Sequence, residues 1–241
     1  MTDTVPRYFS SWESYWRAIS GAPGEVFWDA DPAQAAQQDF PRFASFCDAR
    51  LPLLDVGCGN GTQTHFLAQH WGSVIGVDIS PAALAIARAT NAAANIGYRV
   101  LDLLSAADVD QFHADIGDVN IYMRTVLHQL AAQDQPVAAR GVEQLLGATG
   151  TLYLIELSAV AEAYFGELIK KYGLPPGLAR VFEHHITPGL LHEQQLATLF
   201  PSERFIVLNE GESAIQTTYL IPEGEYARVP AFYRVLRRRA E

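Results

Sequence analysis

Cysteine is nearly absent: the 241 residues hold two, Cys47 and Cys58. Two thiols build neither a disulfide framework nor a CxxC-type metal site, and such sparse usage predicts a reducing, cytoplasmic setting. Long apolar runs are missing as well. No stretch of about 18 apolar residues occurs, so no membrane-spanning helix is expected. The opening MTDTVPRYFSSWESYW carries acids and lacks the apolar core of a secretory leader. Basic residues are in deficit, with 17 Lys and Arg against 27 Asp and Glu and a formal net charge of −10. That balance argues against a nucleic-acid partner. Repeats and low-complexity tracts are also lacking. What remains is ordinary globular composition, 49% hydrophobic and 18% charged, and a chain long enough for one sizeable core.

Apolar runs and helical periodicity alternate between residues 51 and 157. Strands are expected at 51–56, 73–77, 98–101, 118–123 and 151–157. Helices are expected between them at 62–71, from the Ser80-Pro81 start to about 95, at 125–130 and at 136–146. This alternation predicts a parallel sheet covered on both faces. Beyond it, 204–208, 214–220 and 226–236 read as strands joined by short turns, which only antiparallel neighbours allow. The expected fold is therefore α/β: a three-layer, Rossmann-like, doubly wound sheet of about seven strands, mostly parallel, with a C-terminal antiparallel hairpin. Residues 1–50 form an aromatic, helical N-terminal cap. Residues 51–241 form the main domain, with 159–200 a helical excursion placed to cover a substrate, all within one structural unit.

The densest signal is LLDVGCGNGTQ, residues 53–63, where three glycines follow an apolar strand and open a helix. Glycines there let backbone N–H groups approach a ligand, and the helix N-terminus adds positive potential. A dinucleotide fingerprint wants Gly-x-Gly-x-x-Gly, but the last position here is Thr62. The actual spacing is Gly57-x-Gly59-x-Gly61, with Asp55 two residues ahead, and an acid there suits a cationic ligand better than a pyrophosphate. Asp78 and Asp102 stand at the ends of the next two strands, completing three coordinated signals.

In these motifs the sequence resembles the class I S-adenosylmethionine-dependent methyltransferases over residues 50–157. LLDVGCGNGTQT is similar to the family's first motif, GVDIS to its second and Asp102-Leu103 to its third. The resemblance implies that Asp55 and the loop Gly57, Cys58, Gly59, Asn60 and Gly61 hold the methionine and ribose portion of S-adenosylmethionine. It implies that Asp78 accepts from both ribose hydroxyls, Ile79 lies on the adenine face and Asp102 accepts from the adenine amino group beside Leu103. Arg124 is then expected on the cofactor rim. The product is S-adenosylhomocysteine, and no metal is implied.

The acceptor side is thinner in signal. A general base serves hydroxyl, phenol or ammonium acceptors. The candidates are His184 and His185 in the excursion and His128, one helical turn from Arg124 in the expected 125–130 helix. The set Glu183, His184, His185 and His192 lacks the spacing of a known metal-ligand pattern. Trp12, Tyr15 and Trp16 share one helical face, so the aromatic N-terminus reads either as packing or as a lid. Tyr8, Tyr15 and Trp28 are its substrate-side candidates, and aromatic rings suit a sulfonium through cation–π attraction. Acidic charge and compact length point to a small-molecule acceptor, with no nucleic acid or membrane partner. A protein or RNA methyltransferase, or a cofactor-binding protein without transferase activity, remain the alternatives. MetArgThrVal after the fourth strand is unlike the Asn/Asp-Pro-Pro-Tyr motif of base amino-methylation.

Overall fold

The computed structural model describes residues 8–22, 24–186, 191 and 193–239. Five strands run parallel: β1 (Leu53–Val56), β2 (Val74–Asp78), β3 (Ile96–Val100), β4 (Asn120–Arg124) and β5 (Thr151–Leu157). Two long strands, β6 (Phe205–Leu220) and β7 (Tyr226–Arg238), complete a seven-stranded sheet in the order β3-β2-β1-β4-β5-β7-β6. β7 pairs antiparallel with both β5 and β6, as the short turns of the tail predict. Strand order reverses between β1 and β4, and a crevice opens beyond their carboxyl ends at such a switch point.

Side-chain alternation divides the core between the sheet's faces. Leu54, Val56, Ile121, Met123, Leu152 and Leu154 belong to one buried cluster, covered by α5 (Ala106–Ile116) and α6 (Gln135–Leu146). Leu53, Tyr122, Tyr153 and Ile155 point the other way, onto α2 (Ala36–Phe43) and α3 (Thr62–Ala68). A third cluster joins the N-terminal helix α1 (Phe9–Arg17) to α4 (Pro81–Thr90) and α8 (Pro176–Glu183) through Tyr15, Trp16, Phe27, Ala83, Leu178 and Val181. α7 (Ala161–Tyr172) and α9 (Glu193–Leu199) complete the excursion between β5 and β6. Among the described residues no helix is long and apolar enough to cross a membrane.

Two expectations need correction. Segments 204–208 and 214–220 are one strand, β6, shifted in register between Val207 and Asn209. The Asn-Glu-Gly-Glu-Ser stretch reads as a turn in sequence. It persists as strand because β6 is an edge: its outer side is free for polar groups, and Glu210 pairs with Arg234 of β7 at 2.9 Å. The expected helix at 125–130 is only a 3-10 turn at Leu127–Gln129. The fully buried Glu156 carboxylate takes the Val126 and Leu127 N–H groups at 3.0 and 2.7 Å. A side chain thus satisfies donors that would otherwise begin a longer helix. Arg124 consequently ends a strand and shares no helical face with His128.

Candidate active site

The glycine loop leaves β1 at Val56 and enters α3 at Thr62. Gly57 and Cys58 donate their N–H groups to Val77 O at 2.8 and 3.0 Å, which ties the loop to β2. Gly59 has φ +54°, and a Cβ there would lie 2.7 Å from Trp16 of α1. Only glycine combines that left-handed backbone with so close an aromatic lid. The Gly59 N–H donates to Asp78 Oδ2 at 3.0 Å, and Asp78 Oδ1 accepts from Ser80 N at 2.9 Å. Ser80 caps α4, and Glu13 of α1 accepts from Ser80 Oγ at 2.7 Å and Ala82 N at 3.0 Å. One acid from the N-terminal helix therefore secures the helix start beside Asp78.

A cavity of about 160 Å³ lies over this loop. It gathers Asp55, Gly57, Cys58, Gly59, Asn60, Asp78, Ile79, Asp102, Leu103 and Arg124. Gly61 is not among its walls: it turns left-handed with φ +80° beneath Tyr98 and Ala87, shaping the loop from behind. Burial pushes the Asp55 carboxyl up to about 7, partly offset by the Thr64 hydroxyl at 2.5 Å and reinforced by Asp78. Burial likewise lifts Asp78 to about 6. Asp102 is held by Leu104 N at 2.9 Å and also shifts upward through burial. Burial keeps Cys58 a neutral thiol, unsuited to nucleophilic work.

Two acids that sequence reasoning missed complete the site. Asp29, on the segment after α1, lines the cavity and accepts from Asn60 Nδ2 at 2.5 Å and Thr62 Oγ1 at 3.0 Å. Asp39 of α2 is 2% exposed and collects the Tyr122 and Tyr153 hydroxyls, Arg42 and Arg124 at 2.7–3.1 Å. Arg124 is therefore no rim residue. Its side chain is 10% exposed, Nη1 is paired with Asp39, and Nη2 is buried without a partner at the cavity wall. Acids around one unsatisfied guanidinium N–H suit a ligand carrying cations and one carboxylate.

A second cavity, of about 460 Å³, meets the first along Trp28, Thr125 and Gln129. Phe27, Phe165, Leu178, Val181, Ile215 and Val229 make its walls mainly apolar. His128 lines it and sits in a chain of contacts: Nδ1 lies 2.7 Å from Glu156 Oε2, and Nε2 lies 2.7 Å from Gln129 Nε2. His184 and His185 are not brought to either cavity. His184 bonds Ser14 Oγ at 2.9 Å against the edge of Tyr15, and His185 follows α8 with φ 58°. Of the lid candidates, Trp28 borders both cavities and Tyr8 the first, where its hydroxyl reaches Asp134 Oδ2 at 2.5 Å. Tyr15 stands behind, fully buried and stacked on Trp28 at 5.5 Å. His192 lies outside the described residues, among which no three His, Cys, Asp or Glu side chains are grouped to hold a metal.

Comparison with known proteins decides the family. A methyltransferase-domain family model matches residues 53–150. A SAM-dependent methyltransferase from Anabaena variabilis is 42% identical, with 95% of this chain and 94% of that one covered at a TM-score of 0.90. The chain belongs to the SAM-dependent methyltransferases. An uncharacterized methyltransferase of Schizosaccharomyces pombe is 27% identical over 136 residues, 52% of this chain and 50% of that protein. An uncharacterized Synechococcus protein is 28% identical over 150 residues, 58% of this chain and 35% of that protein. The chain thus spans a third to a half of these curated relatives. The N-methyltransferase NodS of Bradyrhizobium japonicum, solved with S-adenosylhomocysteine, shares the fold at 16% identity and a TM-score of 0.60, with 96% and 100% of the two chains covered. The α/β fold expected from the strand–helix alternation and the family resembled in the glycine loop are those of this chain.

Proposed function

We propose that the methyltransferase holds S-adenosylmethionine in the cavity over the glycine loop and methylates a small, mainly apolar molecule seated in the second cavity. The observation carrying this reading is the shared wall of Trp28, Thr125 and Gln129, which lets two ligands meet at one junction. In this reading Asp55 and Asp29 receive the amino group, Asp78 the ribose hydroxyls and Asp102 the adenine amino group, all from the wall of one cavity. The free Nη2 of Arg124 receives the carboxylate. Trp12, Trp16 and Trp28 face the cationic centre with aromatic rings. When bound, the cofactor supplies a methyl group on a positively charged sulfur, already activated for in-line displacement. The chain's own task is then to align the acceptor and keep water out. Transfer would need the acceptor's lone pair in line with that methyl group, an alignment that would fall to the walls shared at Trp28, Thr125 and Gln129. The apolar walls of the second cavity favour a small molecule over a protein or RNA segment.

Calorimetry with S-adenosylmethionine, S-adenosylhomocysteine and NADH tests the cofactor, and labelled methyl followed into phenols, thiols, amines and carboxylates tests transfer. Micromolar binding of the first two is expected, weakened by about 1–3 kcal/mol in Asp78→Ala as an unpaired ribose would require. Binding of NADH alone, or no effect of Asp78→Ala, rejects this assignment.

A further inference from the structure

The second cavity holds two buried polar atoms that no described group satisfies, Gln129 Oε1 and Ser158 Oγ. Leaving such atoms unpaired is costly, so each asks for a partner from a ligand. Their chemistry differs. Ser158 Oγ accepts or donates, whereas an amide oxygen only accepts.

The orientation of Gln129 follows from its neighbours. Glu156 Oε2 lies 2.7 Å from His128 Nδ1, and the other donors to that carboxylate are the backbone N–H groups of Val126, Leu127 and His128. The Glu156 oxygens act as acceptors for these N–H groups, so His128 donates to Oε2 from Nδ1 and keeps a lone pair on Nε2. That lone pair receives the N–H of Gln129 Nε2 at 2.7 Å. The amide is thereby turned with Oε1 away from His128. Gln129 lines both cavities, so the side chain that carries this unpaired, buried oxygen borders the junction where the two ligands would meet.

Resting on the function proposed above, we infer that Gln129 selects the acceptor: an apolar body fills the second cavity, and its neutral hydroxyl donates to Gln129 Oε1 at the junction. Alternatives fit less well. A carboxylate would set its charge against the amide oxygen, and among the described residues no Lys or Arg lines this cavity. An ammonium would lose hydration among the apolar walls; of the acids near it, Glu162 on the cavity wall is solvent-exposed and the buried Glu156 is already engaged by His128 and the turn. An ether offers no hydrogen to the waiting oxygen. His128 and Glu156 act through Gln129, as positioning residues.

The test uses protein saturated with S-adenosylhomocysteine and three probes that share one ring system: naphthol, methoxynaphthalene and naphthoate. Naphthol should bind about tenfold or more tightly than either of the others, the value of one hydrogen bond to an otherwise unpaired group. Gln129→Leu should erase that preference. His128→Leu should lower the preference without abolishing methoxynaphthalene binding. Equal affinity for the three probes, a preference for naphthoate, or full discrimination in Gln129→Leu overturns the inference while leaving the cofactor assignment standing. Failure of S-adenosylhomocysteine itself to bind removes both.

Discussion

Cofactor affinity should fall steeply on acidification. In the free protein burial raises the Asp55 carboxyl to about 7 and Asp78 to about 6, from an ordinary 3.8. Both retain part of a proton near neutrality. In the proposed complex an ammonium beside Asp55 and hydroxyl donors at Asp78 would favour the carboxylates, so binding should expel those protons. With Asp55 alone fully deprotonated in the complex, affinity drops about 25-fold, or about 2 kcal/mol, between about pH 7.5 and about pH 5.5. Asp78 adds a further factor of about four. Stability of the free protein moves the opposite way. A carboxyl whose folded pKa exceeds its unfolded one keeps the native state more protonated. Its contribution is then most favourable below about pH 4 and is lost as pH rises to about 7, by about 4 kcal/mol at most for Asp55. Calorimetric titration with S-adenosylhomocysteine in two buffers of different ionisation enthalpy reads the proton count directly. About half a proton should be released at neutral pH, and Asp55→Asn should flatten both the affinity profile and the pH dependence of Tm. A flat affinity across this range, or net proton uptake on binding, refutes the reasoning.

Other outcomes follow from the same geometry. Asp39→Leu strands two arginines and two tyrosine hydroxyls; a loss of about 3–5 kcal/mol in urea unfolding is expected, and a loss under 1 kcal/mol contradicts the network's role. Gly59→Ala imposes a left-handed alanine against Trp16 and should cost about 1–3 kcal/mol. In a Trp16→Ala background that cost should shrink by about 0.5 kcal/mol or more, and strict additivity in the cycle would show that the ring is not the obstacle. Glu13→Ala removes the acid on the α4 start and should lower stability by about 1–2 kcal/mol, read as a Tm shift that Ser80→Ala, which also removes the helix cap on Ala83 N, deepens further.

The wall of the first cavity was legible because its signals are local. A strand ending in an acid, a glycine turn and a capped helix each declare themselves within a few residues, so the Gly57–Gly61 loop, Asp78 and Asp102 could be placed from their own neighbourhoods. The misplaced features depend on distant partners. Arg124 looks like a rim cation until Asp39, 85 residues earlier, is brought beneath it. Asp29 has no motif; it reaches the loop only because the N-terminal segment packs on α4. Residues 125–130 have helical spacing, but Glu156, about thirty positions later, captures their N–H groups. Gln129 gave no signal of its own in the sequence. The broken strand in the tail failed for a different reason: polar and glycine residues mark a turn in most contexts and are equally at home on an exposed edge.

The position of β7 has a consequence for how the molecule comes together. It is the last described strand in chain order, yet it lies inside the sheet, between β5 and β6. During synthesis β6 emerges first and has no sheet neighbour waiting for it, because its only partner is still to be made. Until β7 arrives, β5 also shows a naked edge along the seven residues that β7 will cover. The nascent chain therefore carries two unpaired strand edges late in translation, the kind of surface that recruits chaperones or a neighbouring chain. Interrupting synthesis before residue 226 should leave the parallel half folded but sticky, whereas the arrival of one more hairpin turn closes both edges in a single step.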